Sequence, residues 1–179
     1  MTRGGLPDAL LSGTLPAMKT HFLTFARYNR WANRRLYAVA AELSDAQYRE
    51  DRGAFFGSLR GTLNHLLVGD RVWFNRFTGE GVNPPSLDTI LHDGFEELRA
   101  AREAEDGRMI GFVESLDETR LDKLFAYRSM DGTPIELPFG LLLAHAFNHQ
   151  THHRGQAHTL LTQFGCTVPA LDLVYFLRE

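Results

Sequence analysis

The stretch that decides the fold runs from Pro138 to Gly165 and reads Pro-Phe-Gly-Leu-Leu-Leu-Ala-His-Ala-Phe-Asn-His-Gln-Thr-His-His-Arg-Gly-Gln-Ala-His-Thr-Leu-Leu-Thr-Gln-Phe-Gly. Five of the chain's eight histidines fall between His145 and His158. The stretch is rich in Leu and Ala, opens on proline and closes on glycine, the punctuation of a long helix. Residues four apart on a helix stand one above the other. His145, His149 and His153 therefore form one column, while His152 and His158 point elsewhere and are expected at the surface. A pair of histidines at i and i+4 chelates a divalent ion but leaves a tetrahedral site incomplete. A third ligand has to come from another element.

Composition narrows the class. The chain has 179 residues, 44% hydrophobic and 23% charged, with 13 Phe and a formal net charge of −3. That suits one globular domain and gives no general attraction to nucleic acid or to an anionic membrane. The single Cys166 excludes a disulfide framework within the chain, and no apolar run is long enough to span a bilayer. A cytoplasmic location is expected. Residues 1–16, rich in Gly and Pro, read as a flexible leader, and residues 17–179 as one domain.

Three more helices precede the histidine stretch. Phe22, Ala26, Trp31, Ala32, Leu36 and Ala40 recur at helical spacing, which predicts a helix over Ala17–Leu43. Ser44 to Gln47 forms a capping-box pattern. Ser58 is an N-cap for a second long helix to Phe77, with Leu59, Leu63, Leu66, Trp73 and Phe77 as its stripe. Gly61 and Gly69 lie on this helix and are expected to let another helix approach closely. A third helix is expected over Asp88–Leu116. Leu121 to Leu137, with Phe125, Tyr127 and the turn signal Asp131-Gly132, reads as a β-hairpin. Four long helices with short connections predict an all-α four-helix bundle with a short β-hairpin before the last long helix. Such bundles build metal sites inside, from side chains on facing helices.

Outside the cluster, His21 and His92 are expected to be exposed. His65 lies mid-helix beside an apolar, small-residue face, where a buried imidazole needs a partner. The geometric candidates are thus His65, His149 and His153. His145, against Leu141, Leu142 and Ala144, is either an outer partner of the site or simply packed. Arg154 can hold a substrate carboxylate, or be a surface charge or a salt-bridge partner. Asp70 can orient a ligand, or serve in capping or surface pairing. The alternative for the whole set is that each histidine is a core side chain hydrogen-bonded to a neighbour. Gln150 occupies the place of the glutamate in His-Glu-x-x-His, so the protease base is absent.

Three segments carry a family resemblance: Tyr28 to Asn33 (Tyr-Asn-Arg-Trp-Ala-Asn), Gly57 to Trp73 (Gly-Ser-Leu-Arg-Gly-Thr-Leu-Asn-His-Leu-Leu-Val-Gly-Asp-Arg-Val-Trp) and Phe147 to Gln156 (Phe-Asn-His-Gln-Thr-His-His-Arg-Gly-Gln). Together they resemble the DinB family, the DNA-damage-inducible group of the DinB/YfiT-like metalloenzyme superfamily, over about Met18 to Phe164. The resemblance implies a four-helix bundle and a divalent metal, zinc or nickel, on the residues matching His65, His149 and His153, with His145 outside the triad. It also implies a stress-response setting, a homodimer and a small-molecule substrate. Thiol-dependent transferases and isomerases in the superfamily make a transferase that activates a low-molecular-weight thiol the leading expectation. A hydrolase using water activated by the metal, or a non-enzymatic metal-binding stress protein, are the alternatives. Neither nucleic acid nor a membrane is an expected partner.

Overall fold

The computed structural model describes residues 17–179; the leader expected over residues 1–16 lies outside them. Four long helices make the body: α1 (Met18–Ala40), α3 (Leu59–Thr78), α4 (Phe95–Ser115) and α5 (Phe139–Gln163). The short helix α2 (Asp45–Arg49) follows α1, and α6 (Leu173–Phe176) ends the chain. Between α4 and α5 lies the expected hairpin, β1 (Leu124–Arg128) antiparallel to β2 (Pro134–Pro138), with Leu124 opposite Pro138 and Arg128 opposite Pro134. In the bundle α1 packs on α4 and α5, and α3 packs on α5 and α4. Among the described residues no helix is long and apolar enough to cross a membrane.

The helix ends follow local chemistry. Ser44 and Gln47 form a complete capping box, and the Ser58 hydroxyl accepts the Gly61 amide at 3.1 Å to open α3. Helix α3 closes at Gly79 with φ +76°, and the turn after α5 uses Gly165 at φ +82°, the left-handed conformation that glycine adopts without penalty. One boundary differs from expectation. The third helix begins at Phe95, not near Asp88. The Thr89 hydroxyl donates to the Ser86 carbonyl at 2.8 Å, and the Asn64 side chain pairs with both backbone groups of His92, each at 3.0 Å. Side chains thus hold the segment against α3 and compete with helix formation. The same contacts leave His92 half-buried rather than exposed.

The bundle core has three levels. At one end Phe74, Phe77, Met109, Val113, Phe139 and Phe147 pack together, and Phe125 and Tyr127 of the hairpin cover them. At the other end the core is mainly leucine, with Leu36, Leu63, Leu66, Leu67, Leu98, Leu160 and Leu161 joined by the buried Tyr37 and Tyr48. The positions between these groups on each helix carry a buried polar layer: Asn29 and Asn33 on α1, Asp70 on α3, Arg102 and Asp106 on α4, and Gln150 and Arg154 on α5. Arg102 pairs with Asp70 at 2.5 Å and with Asp106 at 3.1 Å. Asn29 and Asn33 bridge onward, donating to Asp106 at 3.2 and 3.0 Å and accepting from Arg154 at 2.6 and 3.2 Å. Two guanidinium groups thus face two carboxylates, so the layer is charge-balanced, the condition on which buried ions persist.

Candidate metal centre

Helices α3 and α5 bring three imidazoles to one point. His65 Nε2 lies 3.1 Å from His149 Nε2 and 3.2 Å from His153 Nε2. Two ligands about 2.0–2.1 Å from an ion, at the tetrahedral angle, stand about 3.3 Å apart, so the separations suit a shared first-row cation. Among the described residues this is the group of histidine, cysteine and carboxylate side chains close enough to hold an ion, and it contains three members.

The far nitrogens settle which protonation state the cluster presents. His65 Nδ1 is 2.7 Å from the Leu87 carbonyl, which only accepts, so Nδ1 carries the proton. His153 Nδ1 is 2.8 Å from Gln156 Oε1, and the Gln156 amide nitrogen faces His152 Nε2 at 3.4 Å, so Nδ1 is the donor there as well. In neutral rings both facing Nε2 atoms are then bare lone pairs. Protons do not neutralise the repulsion near neutral pH. Burial, aided by the neighbouring imidazoles, pushes His65 down to about 4 and His149 down to about 3. Burial also lowers His153, against the hydrogen bond that its Nδ1 donates to Gln156. Three neutral donors around a common point, two of them with their tautomers fixed from outside, fit a divalent ion.

The supports come from four parts of the chain. Phe56 stacks face to face on His65, with centroids 3.8 Å apart. Gly69 makes room for His149: a Cβ at that position would lie 2.6 Å from the ring's Cε1. Leu87 belongs to the non-helical segment pinned by Asn64 and His92. Gln156 stands one turn beyond His153. Of these, Gly69 is legible in the sequence as a close approach, although what approaches is a ring of α5, and Gln156 is legible as an i+3 neighbour. Gly61, by contrast, adjoins the Phe56 carbonyl rather than a helix. The Leu87 and Phe56 contacts have no sequence signal. The imidazoles open onto a cleft of about 610 Å³ that Phe55, Phe56, Leu87, Asp88, His152 and Gln156 line.

The other candidates lie elsewhere. His145 is exposed on α5, its ring edge-on to Trp73 at 4.9 Å and 6.1 Å from the His149 ring. Contrary to the expectation that Asp70 orients a ligand or pairs at the surface, its carboxylate is buried and bound to Arg102; burial pushes it up to about 6, opposed by Arg102. Contrary to the expectation of a carboxylate anchor or a surface charge, Arg154 is buried in the polar layer against Asn29 and Asn33. Adjacent helical residues diverge by about 100°, so His153 and Arg154 face different neighbours. Gln150 is also turned inward, its amide donating to the Leu66 carbonyl at 3.1 Å. His152 is exposed at the cleft rim, whereas His158 is half-buried on another face.

The comparisons with known proteins agree with this architecture. Protein DinB of Bacillus subtilis (strain 168) is 25% identical over 159 residues, covering 84% of this chain and 90% of that one. The crystal structure of a DinB-like protein from Bacillus cereus ATCC 10987 superposes with a TM-score of 0.66 at 19% identity, covering 83% of this chain and 94% of that one. A DinB-like protein from Bacillus subtilis gives 0.55 at 16% identity, covering 88% and 99%. At such identities the two structures establish the fold alone. The DinB family model matches residues 18–179, the whole helical body with its three imidazoles, and the chain belongs to the DinB family.

Proposed function

We propose that this chain binds a divalent ion, zinc or nickel, through His65, His149 and His153, and is a metal-dependent transferase that activates a low-molecular-weight thiol. The observation that carries the reading is the pair of 3.1 and 3.2 Å contacts between Nε2 atoms, in an arrangement whose outer nitrogens hold the protons. A divalent ion bound there with an open position supplies Lewis acidity, lowering the pKa of a coordinated thiol. The protein's own part is to keep the donors neutral and aimed, through the Leu87 carbonyl and Gln156, and to exclude bulk water from one side with Phe56. In the transfer the thiol proton leaves to solvent, the sulfur–carbon bond forms, and the electrophile's bond to its leaving group breaks.

The geometry also supports an open rather than a closed site, since among the described residues no fourth histidine, cysteine or carboxylate joins the three. That favours chemistry over storage. The proposal includes a cytoplasmic homodimer acting on a small molecule in a stress setting; the net charge of −3 argues against a nucleic-acid partner. A metal-edge diffraction map should show one ion between the three Nε2 atoms. Metal-loaded protein should consume an alkylating electrophile only with thiol present, and His149→Ala should abolish that turnover. Turnover without thiol would assign water activation instead, and no turnover with either would leave a binding protein.

A further inference from the structure

We infer that the molecule taken into the cleft carries a flat aromatic group and, apart from the atom that meets the metal, no carboxylate or phosphate. This rests on the metal reading above and concerns the part of the substrate that the metal does not touch. A cleft of about 610 Å³ has the size of a small-molecule site.

The charges facing it are one-sided. Among the described residues lining the cleft there is no lysine or arginine. The charged group there is Asp88, whose carboxyl the Ser86 hydroxyl holds below the usual range, so it is ionised at neutral pH. Arg154, next in sequence to His153, is committed to Asn29 and Asn33 on the other side of α5. An anionic tail entering the cleft would shed water, find no cationic partner and approach Asp88, all unfavourable. A thiol cosubstrate bearing several carboxylates is therefore a poor fit, and a neutral one a good fit.

The apolar side is built, not incidental. Phe55 is 84% exposed, a large ring left in water at the mouth of the cleft. It is edge-on to Phe56 at 4.8 Å, and Phe56 in turn stacks on His65. A tight turn presents the pair. Gly53 and Gly57 take φ of +70° and +72°, the Asp51 carboxylate accepts the Gly53 amide at 2.9 Å, and the Gly57 amide donates to the Ala54 carbonyl at 2.8 Å. Leu87, next in sequence to Asp88, also borders the cleft and is itself exposed. A ring that covers Phe55 gains aromatic contact and removes apolar surface from water.

The test uses the full chain loaded with cobalt(II), whose visible absorption and thiolate-to-metal charge-transfer band report binding without turnover. Three thiols are titrated: phenylmethanethiol (aromatic, neutral), 2-mercaptoethanol (small, neutral) and mercaptosuccinate (two carboxylates). Phenylmethanethiol should bind about tenfold tighter than either of the others, the range that one aromatic contact with its buried area supplies. Phe55→Ala should erase most of that preference, and Asp88→Lys should tighten mercaptosuccinate several-fold relative to phenylmethanethiol. Equal or tighter binding of mercaptosuccinate to the unaltered protein would overturn the inference, as would a preference untouched by Phe55→Ala. If cobalt gave no band sensitive to His149→Ala, the metal reading itself would fail; cobalt bound without the ranking would refute only the substrate class.

Discussion

Gly69→Ala is the substitution whose outcome the geometry constrains most tightly. A Cβ on residue 69 would lie 2.6 Å from His149 Cε1 and 3.0 Å from its Nδ1, against an ordinary carbon–carbon contact of about 3.5 Å or more. The ring has to retreat by roughly 1 Å, whereas metal–ligand distances tolerate about 0.2 Å. One of three protein ligands is thereby displaced, and the metal should bind at least about 100-fold more weakly, a loss of about 2.7 kcal/mol. Stability should move otherwise, because alanine in a helix interior is favoured over glycine by about 1 kcal/mol and offsets part of the clash. The metal-free variant should therefore melt near the unaltered protein. Competition against a chromophoric zinc chelator gives the affinity, and differential scanning fluorimetry with and without chelator separates the two effects. In Gly69→Ala/His149→Ala the clash is gone, so this double variant should be about 1 kcal/mol more stable than His149→Ala alone. A Gly69→Ala protein that holds zinc within about twofold of the unaltered affinity would refute the placement of His149 over Gly69.

Further outcomes follow from the same contacts. Gln156→Leu removes the acceptor that fixes the His153 tautomer and should weaken metal binding about 10–100-fold, read by the same competition assay. In the metal-free protein the folded-state pKa values of His65 and His149, about 4 and about 3, lie below the ordinary 6.5, so the unfolded chain binds more protons between those limits. Stability present above about pH 6.5 should fall with acidification, by up to about 1.4 kcal/mol per pH unit for each imidazole. Urea midpoints at successive pH values should show that slope, and a flat profile would contradict it. Asp106→Ala removes an acceptor from Arg102 and from the Asn29 and Asn33 amides and leaves the buried guanidinium groups with one carboxylate, so it should cost about 3–5 kcal/mol, measured by chemical denaturation. Arg154→Gln should likewise destabilise while leaving metal affinity unchanged; a selective loss of metal binding would restore Arg154 to the site. Gln150→Glu completes the His-Glu-x-x-His pattern but puts a carboxylate into the core beside Asp70, so it should lower stability and create no peptidase.

The elements and the ligand candidates were legible before any packing was known, because both depend on local periodicity. Proline and glycine bracket α5, the capping box and Ser58 mark the starts of α2 and α3, and an i, i+4 spacing puts His149 and His153 on one face whatever the rest of the chain does. Asn29 and Asn33, like Arg102 and Asp106, share that spacing, so a polar stripe was present in the sequence, but nothing local distinguishes a buried stripe from a solvated one. The tertiary structure decided that. Only when α1, α3, α4 and α5 close around one another do Arg154 and Asp70 turn out to balance Asp106 and Arg102 inside, leaving the cleft without a cationic anchor. It also decided the start of α4 and the partner of His65. The Leu87 carbonyl reaches that ring across 22 residues because Asn64, by pairing with His92, holds the non-helical segment that contains Leu87 against α3. Contacts between residues far apart in the chain are set by packing, and packing is a property of the assembled bundle.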